Sequence, residues 1–327
     1  MTLEQTLDYI HSLERFGSKP GLARVTALLD ALGRPQDKLK FVHVAGTNGK
    51  GSTASMIASV LHAAGYKTGL YISPYVLEFR ERMQINGQMI APQSLSQAVG
   101  AVQGCITAAG EDNPTEFEVI TAAALWWYAR EGCDVVVLEV GMGGRFDATN
   151  VIAPPLAAVI TAIDLDHTKV LGSTVEQIAA EKCGIIKPGT PVVSYPAQHP
   201  EALAVIMEHC ARQGSRLVMG NLAGAQVHSC TLQGSDITYR GYSLHIPLVG
   251  PHQIANCVTA AETLLLLARQ GWAVTGQAMA EGIARVRLPA RMEILSRSPL
   301  VILDGAHNLA GARVLEQALE QLVQGKK

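Results

Sequence analysis

Residues His43 to Met56 read HVAGTNGKGSTASM, and the reading of the whole chain turns on them. Lys50 is set between glycines and followed by hydroxyls, a composition that grips phosphate. The spacing departs from the ordinary phosphate loop of Gly, four residues, Gly-Lys-Ser/Thr. Val44 stands at the first glycine position and Gly51 where the hydroxyl belongs. Upstream, LKFVHVAG is a short apolar strand. Downstream, GSTASMIASVLHAAG keeps helical patterning and closes at Gly65. The loop therefore joins a strand ending at Ala45 to a helix beginning near Ser52. Such a helix start offers unpaired amides and the positive end of its dipole. The glycines let backbone approach an anion, Lys50 offsets its charge, and Ser52 suits a magnesium ion. A Gly-rich turn with a solvated lysine is the plainer alternative.

Working outward, Leu3, Leu7, Ile10 and Leu13 keep helical spacing, as do Leu22, Val25, Leu28, Leu29 and Leu32 after a break at GSKPG. KTGLYIS is a strand, TEFEVITAAALWWYAREG a long helix, and CDVVVLEVG an apolar run suited to a strand buried on both faces. PLAAVITAI and TPVVSY repeat the strand character around the helical STVEQIAAEKCGII. This alternation predicts an α/β fold of phosphate-loop type, with a mostly parallel sheet covered on both sides. Short strands and turn residues between about 217 and 250 predict a small antiparallel excursion. Helical patterning returns over 252–285, RLPARMEILSRSP reads as a linker, and LVILDGAHNLAGARVLEQALEQL as strand, turn and helix.

The 327 residues are 48% hydrophobic, enough for large cores and more than one domain. A net charge of -2 gives no basic field, so nucleic acid is not an expected partner. The start lacks a signal-peptide pattern, and no apolar run reaches membrane-spanning length. Six scattered cysteines without a CxxC pair read as reduced thiols of a cytoplasmic protein.

Three further positions carry chemistry. Glu139 ends an apolar strand, where a carboxylate is costly to bury without compensation. A metal bridging nucleotide phosphates would supply it, as for the acid of a Walker-B strand; backbone bonds from the following glycine turn are the alternative. His167, in ITAIDLDHTKVLG, follows another apolar strand and falls at the same carboxyl edge, where ligands bind. Asp164 and Asp166 are rival ligands on spacing alone. Lys182 reads as a solvated helix lysine by itself, and Asn256, Arg291, Asp304 and His307 are weaker still when taken singly.

Together, DYIHSLERFGSKPGLARV, HVAGTNGKGST, YISPYVLEFRERMQING, TEFEVITAAALWWYA, LEVGMGGRFDATN, DLDHTKVLG, EKCGIIKPG, RMEIL and LDGAHN resemble the folylpolyglutamate synthase/dihydrofolate synthase family of the Mur ligase superfamily. TNGKGS is the discriminating form, because cell-wall Mur ligases typically carry Thr directly after the lysine. The resemblance covers essentially the whole chain. It implies an ATP- and magnesium-dependent ligase that activates a folate or dihydropteroate carboxylate as an acyl phosphate and couples it to L-glutamate. It also implies roles by motif. Thr47, Asn48, Gly49, Lys50, Gly51 and Ser52, with Asn256, Arg291, Asp304 and His307, match nucleotide-binding segments. Ser52, Ser73, Glu139 and His167 match magnesium ligands, and Lys182 matches a carbamylated lysine; Lys50, Glu139, His167 and Lys182 are the catalytic set. Gly21 to Arg24, Phe117 and Glu118 of TEFE, and Arg145 to Asp147 match segments near the pterin.

Some positions depart from the pattern. Tyr75 replaces the usual His after Ser-Pro and Ala23 the Glu of GLER, both near the pterin pocket. Ala290 replaces the Gly of PGR and Leu309 the Pro after AHN. The resemblance further divides the chain into an ATP- and substrate-binding domain at 1–295 and an incomplete, Rossmann-like α/β domain at 296–327, with the natural protein expected to continue. A monomer is expected. The rival readings are a Mur-type ligase acting on a UDP-sugar peptide and an inactive nucleotide-binding fragment.

Overall fold

The computed structural model describes residues 1–13, 21–109 and 113–323; most of the GSKPG break lies outside them. The chain opens with α1 (Leu3–Ser12) and α2 (Ala23–Ala31), then enters β1 (Phe41–Ala45), α3 (Lys50–Ala63) and β2 (Thr68–Tyr71). A hairpin of β3 (Met83–Ile85) and β4 (Gln88–Met89) precedes α4 (Pro92–Gln103), α5 (Glu116–Arg130) and β5 (Val135–Glu139). Then come β6 (Ala157–Ile160), the single turn α6 (Thr168–Leu171), α7 (Val175–Lys182), β7 (Val192–Ser194), α8 (Pro200–Gln213) and β8 (Leu217–Met219).

These strands form one eight-stranded sheet in the order β4-β3-β2-β5-β1-β6-β7-β8. It is parallel from β2 to β8, with the β3–β4 hairpin antiparallel at one edge. β1 is central, and its register sets Val44 beside Glu139 on β5 and Ala45 beside Ile160 on β6. Three strand ends, and the loops that leave them, therefore share one carboxyl edge. β1 and β5 are buried at every residue, the reason both read as unbroken apolar runs. Val42 and Val44 face a core built with α3, α9 and α10, whereas Phe41 faces the helices α1, α2, α4 and α5.

A separate antiparallel sheet of β9 (Gln226–Thr231), β10 (Gly234–Tyr239) and β11 (Tyr242–Ile246) is followed by α9 (His252–Arg269) and α10 (Gly276–Ala284). The excursion is real but begins later than expected: residues 217–219 pair parallel with β7 as the sheet's edge strand. Its half-exposed three residues carry too little patterning to declare their partner. The linker reading of RLPARMEILSRSP is also corrected. β12 (Glu293–Arg297) pairs antiparallel with β13 (Leu300–Leu303), ahead of α11 (Leu309–Leu322). The 295/296 boundary thus falls inside a strand. Ile294 and Ile302 pack with Leu315 and Leu319 against Val249, so this small unit leans on the end of the three-stranded sheet.

Candidate active site

The phosphate loop is held open by contacts on both sides. Thr47 and Asn48 donate their backbone N–H to the Ala162 carbonyl at 2.8 and 3.2 Å, and the Thr47 hydroxyl donates to the Asp164 carbonyl at 3.0 Å. Gly49 caps α3 with φ +84°, and a Cβ there would stand 2.4 Å from Asn256 Oδ1. Glycine is required on both counts. Lys50 is the first residue of α3, and its ammonium curls back to donate to the Gly46 and Thr47 carbonyls at 3.1 Å each. Ser52 is buried one turn into the same helix start.

Glu139 is 3% exposed at the end of β5. The Ser73 N–H donates to its Oε2 at 3.2 Å. Burial pushes its carboxyl up to about 7, against the opposing pull of the Lys50 charge and that hydrogen bond. A Cβ on Gly51 would stand 3.5 Å from the carboxylate, an ordinary contact, so Gly51 lies directly beside Glu139.

Lys182 is no solvated helix lysine. It is 4% exposed at the end of α7 and donates to the Gly46 carbonyl at 2.8 Å, the acceptor Lys50 also uses. Burial and then the Lys50 charge pull its amine down to about 7. Two amines converging on one loop carbonyl is a feature no local pattern announced.

The third strand end contributes less than expected. His167 is half-exposed, with φ +47° and its Nε2 3.9 Å from Asp166 Oδ1. Among the described residues no group of three or more His, Cys, Asp or Glu side chains could hold a metal. Glu139 is reached by the backbone N–H of Ser73, and Ser52 is buried at the α3 start beside the loop; these are the hydroxyl residues the resemblance pairs with it. One carboxylate with hydroxyls fits a magnesium ion that completes its shell with phosphate oxygens and water.

Opposite the loop lies the turn between β13 and α11. Asp304 accepts the N–H of Met292 and of Ala306, both at 2.8 Å, and so shapes this turn. A cavity of about 280 Å³ lies between loop and turn; Asn48, Gly49, Gly51 and Ser52 line it with Asn256, which abuts Gly49, and so do Arg291, Asp304 and His307. Asn308, passed over in the sequence, ties loop and turn together. Its amide nitrogen donates to Asn48 Oδ1 at 3.2 Å and to Asp166 Oδ2 at 3.0 Å, while its Oδ1 caps α11 through the Gly311 N–H. Its place as the Asn of AHN, directly ahead of a helical run, was the available signal.

The residues expected near the pterin divide. Glu118 is committed to structure: Arg24 grips it with Nε at 3.1 Å and Nη2 at 3.0 Å, and it accepts the Thr115 N–H. Asp147 is buried and caps the turn 148–151, accepting from Met142 N–H, Thr149 N–H and the Thr149 hydroxyl. Arg145 is half-exposed, with Nη1 3.7 Å from Glu181. Gly21 leads into α2 with open space about it. Phe117 lies against Tyr71, ring centres 6.0 Å apart, and lines a second cavity of about 290 Å³ with His11, Tyr75, Arg82 and Glu116.

Residues 44–264 match the profile of the Mur ligase middle domain. The chain is 40% identical to the folylpolyglutamate synthase of Lacticaseibacillus casei over 98% of its length and 77% of that protein's. It is 37% identical to the dihydrofolate synthase/folylpolyglutamate synthase of Bacillus subtilis, covering 96% of this chain and 75% of that one. A solved FPGS–AMPPCP–folate complex superposes with a TM-score of 0.93 at 39% identity, over 99% of this chain and 82% of that one. With its glycine after Lys50, its buried Glu139 and these relatives, the chain belongs to the folylpolyglutamate synthase/dihydrofolate synthase family of Mur-type ligases.

Proposed function

We propose that this chain joins L-glutamate to the carboxylate of a folate or dihydropteroate in an ATP-driven reaction at the carboxyl edge of its sheet. The observation that carries the site assignment is the shared cavity. Nucleotide-binding candidates from the phosphate loop, α9, residue 291 and the 304–307 turn line it together.

The terminal phosphoryl group of ATP passes to the acceptor carboxylate, giving an acyl phosphate. The amine of glutamate attacks that carbonyl, and phosphate leaves from the tetrahedral intermediate. No protein nucleophile enters this sequence, so positioning and charge carry it. Lys50 and the α3 amides hold the phosphates. Magnesium, held by Glu139, Ser52 and Ser73, with His167 at the same edge, would supply Lewis-acid stabilisation of the phosphoryl charge. Lys182 has the low-lying amine that a carbamate requires, since only a neutral amine adds to carbon dioxide.

The reading is tested by ADP release with glutamate plus dihydropteroate or tetrahydrofolate. Glutamate-dependent ADP with either acceptor is expected. Background release with both, and turnover with a UDP-muramyl peptide, would transfer the chain to the cell-wall branch.

A further inference from the structure

Arg82 closes the short turn Phe79–Arg82 that leads into β3. Its guanidinium lies over two aromatic rings, 5.3 Å from the centre of Tyr75 and 5.6 Å from that of Phe79. Nε is buried and makes no hydrogen bond. The contrast with its neighbour is sharp. Arg80 is spent on Glu78 at 2.5 Å, whereas Arg82 has no acid partner among the described residues. Arg82 is half-buried, so its terminal nitrogens can still meet a ligand from the cavity, while the buried Nε is a donor left for an incoming acceptor to satisfy.

The backbone that carries Arg82 is fixed in advance. The Glu81 carboxylate accepts the N–H groups of Val76, Leu77 and Glu78, each at 2.8 Å, which locks the loop after Ser73. The Arg82 carbonyl accepts the Ile72 N–H at 3.1 Å, which fixes it to the end of β2. The guanidinium lines the aromatic cavity of Tyr75 and Phe117. Its charge also reaches the buried Glu139, helping to hold that carboxyl down. It therefore stands between an aromatic cavity and the phosphate loop.

We propose that Arg82 receives the carboxylate of the acceptor, pairing its planar fork with the group to be activated while the aromatic body of that acid rests against Tyr75 and Phe117. A guanidinium fork matches a carboxylate in two parallel hydrogen bonds, so the role calls for arginine rather than lysine. The proposal rests on the acceptor reading given above. It adds the residue that distinguishes a carboxylic acid from its uncharged analogues.

Binding without turnover separates the two ideas. Pteroate and pteroate carboxamide are titrated by calorimetry against the wild type, Arg82→Met and Arg82→Lys. Arg82→Met should weaken pteroate by about 10- to 100-fold and leave the carboxamide unchanged. Arg82→Lys should retain part of the preference, and it provides the same ratio if the Met variant fails to fold. Equal losses for both ligands, or none for pteroate, overturn the role. Wild-type protein that binds neither ligand overturns the acceptor reading itself, and the proposal with it.

Discussion

Lys50 and Lys182 share the Gly46 carbonyl, and Glu139 is the buried acid at the same sheet edge; each has its own test. Lys50→Ala should lower kcat by roughly 100-fold or more, as removal of a charge-stabilising group does, with an unchanged circular dichroism spectrum. Near-normal turnover would remove Lys50 from the mechanism. Glu139 is held near 7 by burial, against 4.5 for an ordinary carboxyl. Between those values the folded protein keeps a proton that the unfolded chain has lost, so this residue's contribution falls as pH rises through that window. Glu139→Gln should therefore stabilise the protein above pH 7, by roughly 3 kcal/mol at most, and have little effect below the ordinary value. The same variant should need more magnesium for half-maximal activity. A melting difference that is flat with pH would contradict the first expectation, and unchanged magnesium dependence the second. The Lys182 amine is displaced the other way and is mostly neutral above about 7. Labelled bicarbonate should then add a carbamate signal that grows from pH 6 to 8 and is missing in Lys182→Ala. Small carboxylic acids should restore part of that variant's activity.

At the scale of elements, the clamp between α2 and α5 is the clearest case of a residue pair that sets a position. The side chains of Arg24 and Glu118 are 11% and 7% exposed, so the Glu118 charge cannot turn to water if Arg24 is removed. Arg24→Met should cost about 3–5 kcal/mol in urea denaturation. The double variant Arg24→Met/Glu118→Leu should recover most of it, because a buried pair replaced by apolar groups is often neutral. A single-variant loss below about 1 kcal/mol would show that Glu118 is satisfied by Thr115 and its own helix start.

Across the whole molecule, the β12–β13–α11 unit lines the cavity beside the Lys50 loop, and Asn308 is its polar link to that loop. We propose that this unit governs ATP affinity and leaves acceptor binding alone, since the aromatic cavity is built from residues 11–117. Asn308→Ala should raise the KM for ATP by about tenfold, as loss of one or two good hydrogen bonds implies, with the acceptor KM unmoved. Loss of the α11 cap alone would lower the melting temperature without that selectivity. A parallel rise in both KM values would locate the effect in the shared sheet edge instead.

The sequence by itself determined the alternation of strands and helices, the loop around Lys50 and the acid at the end of β5. These are local features, written in apolar runs, glycine placement and helix starts that neighbouring residues settle among themselves. It did not determine that 217–219 joins the parallel sheet, that 293–297 is a strand, or that Glu118 and Asp147 are taken up by the fold. Nor could it show that Lys182 lies buried beside Lys50, or that Arg82 lies over two rings with no acid partner among the described residues. Glu118 meets an arginine 94 positions away, and Lys182 a carbonyl 136 positions away. Pairing, burial and hence charge state depend on partners that only tertiary packing brings within a few ångströms.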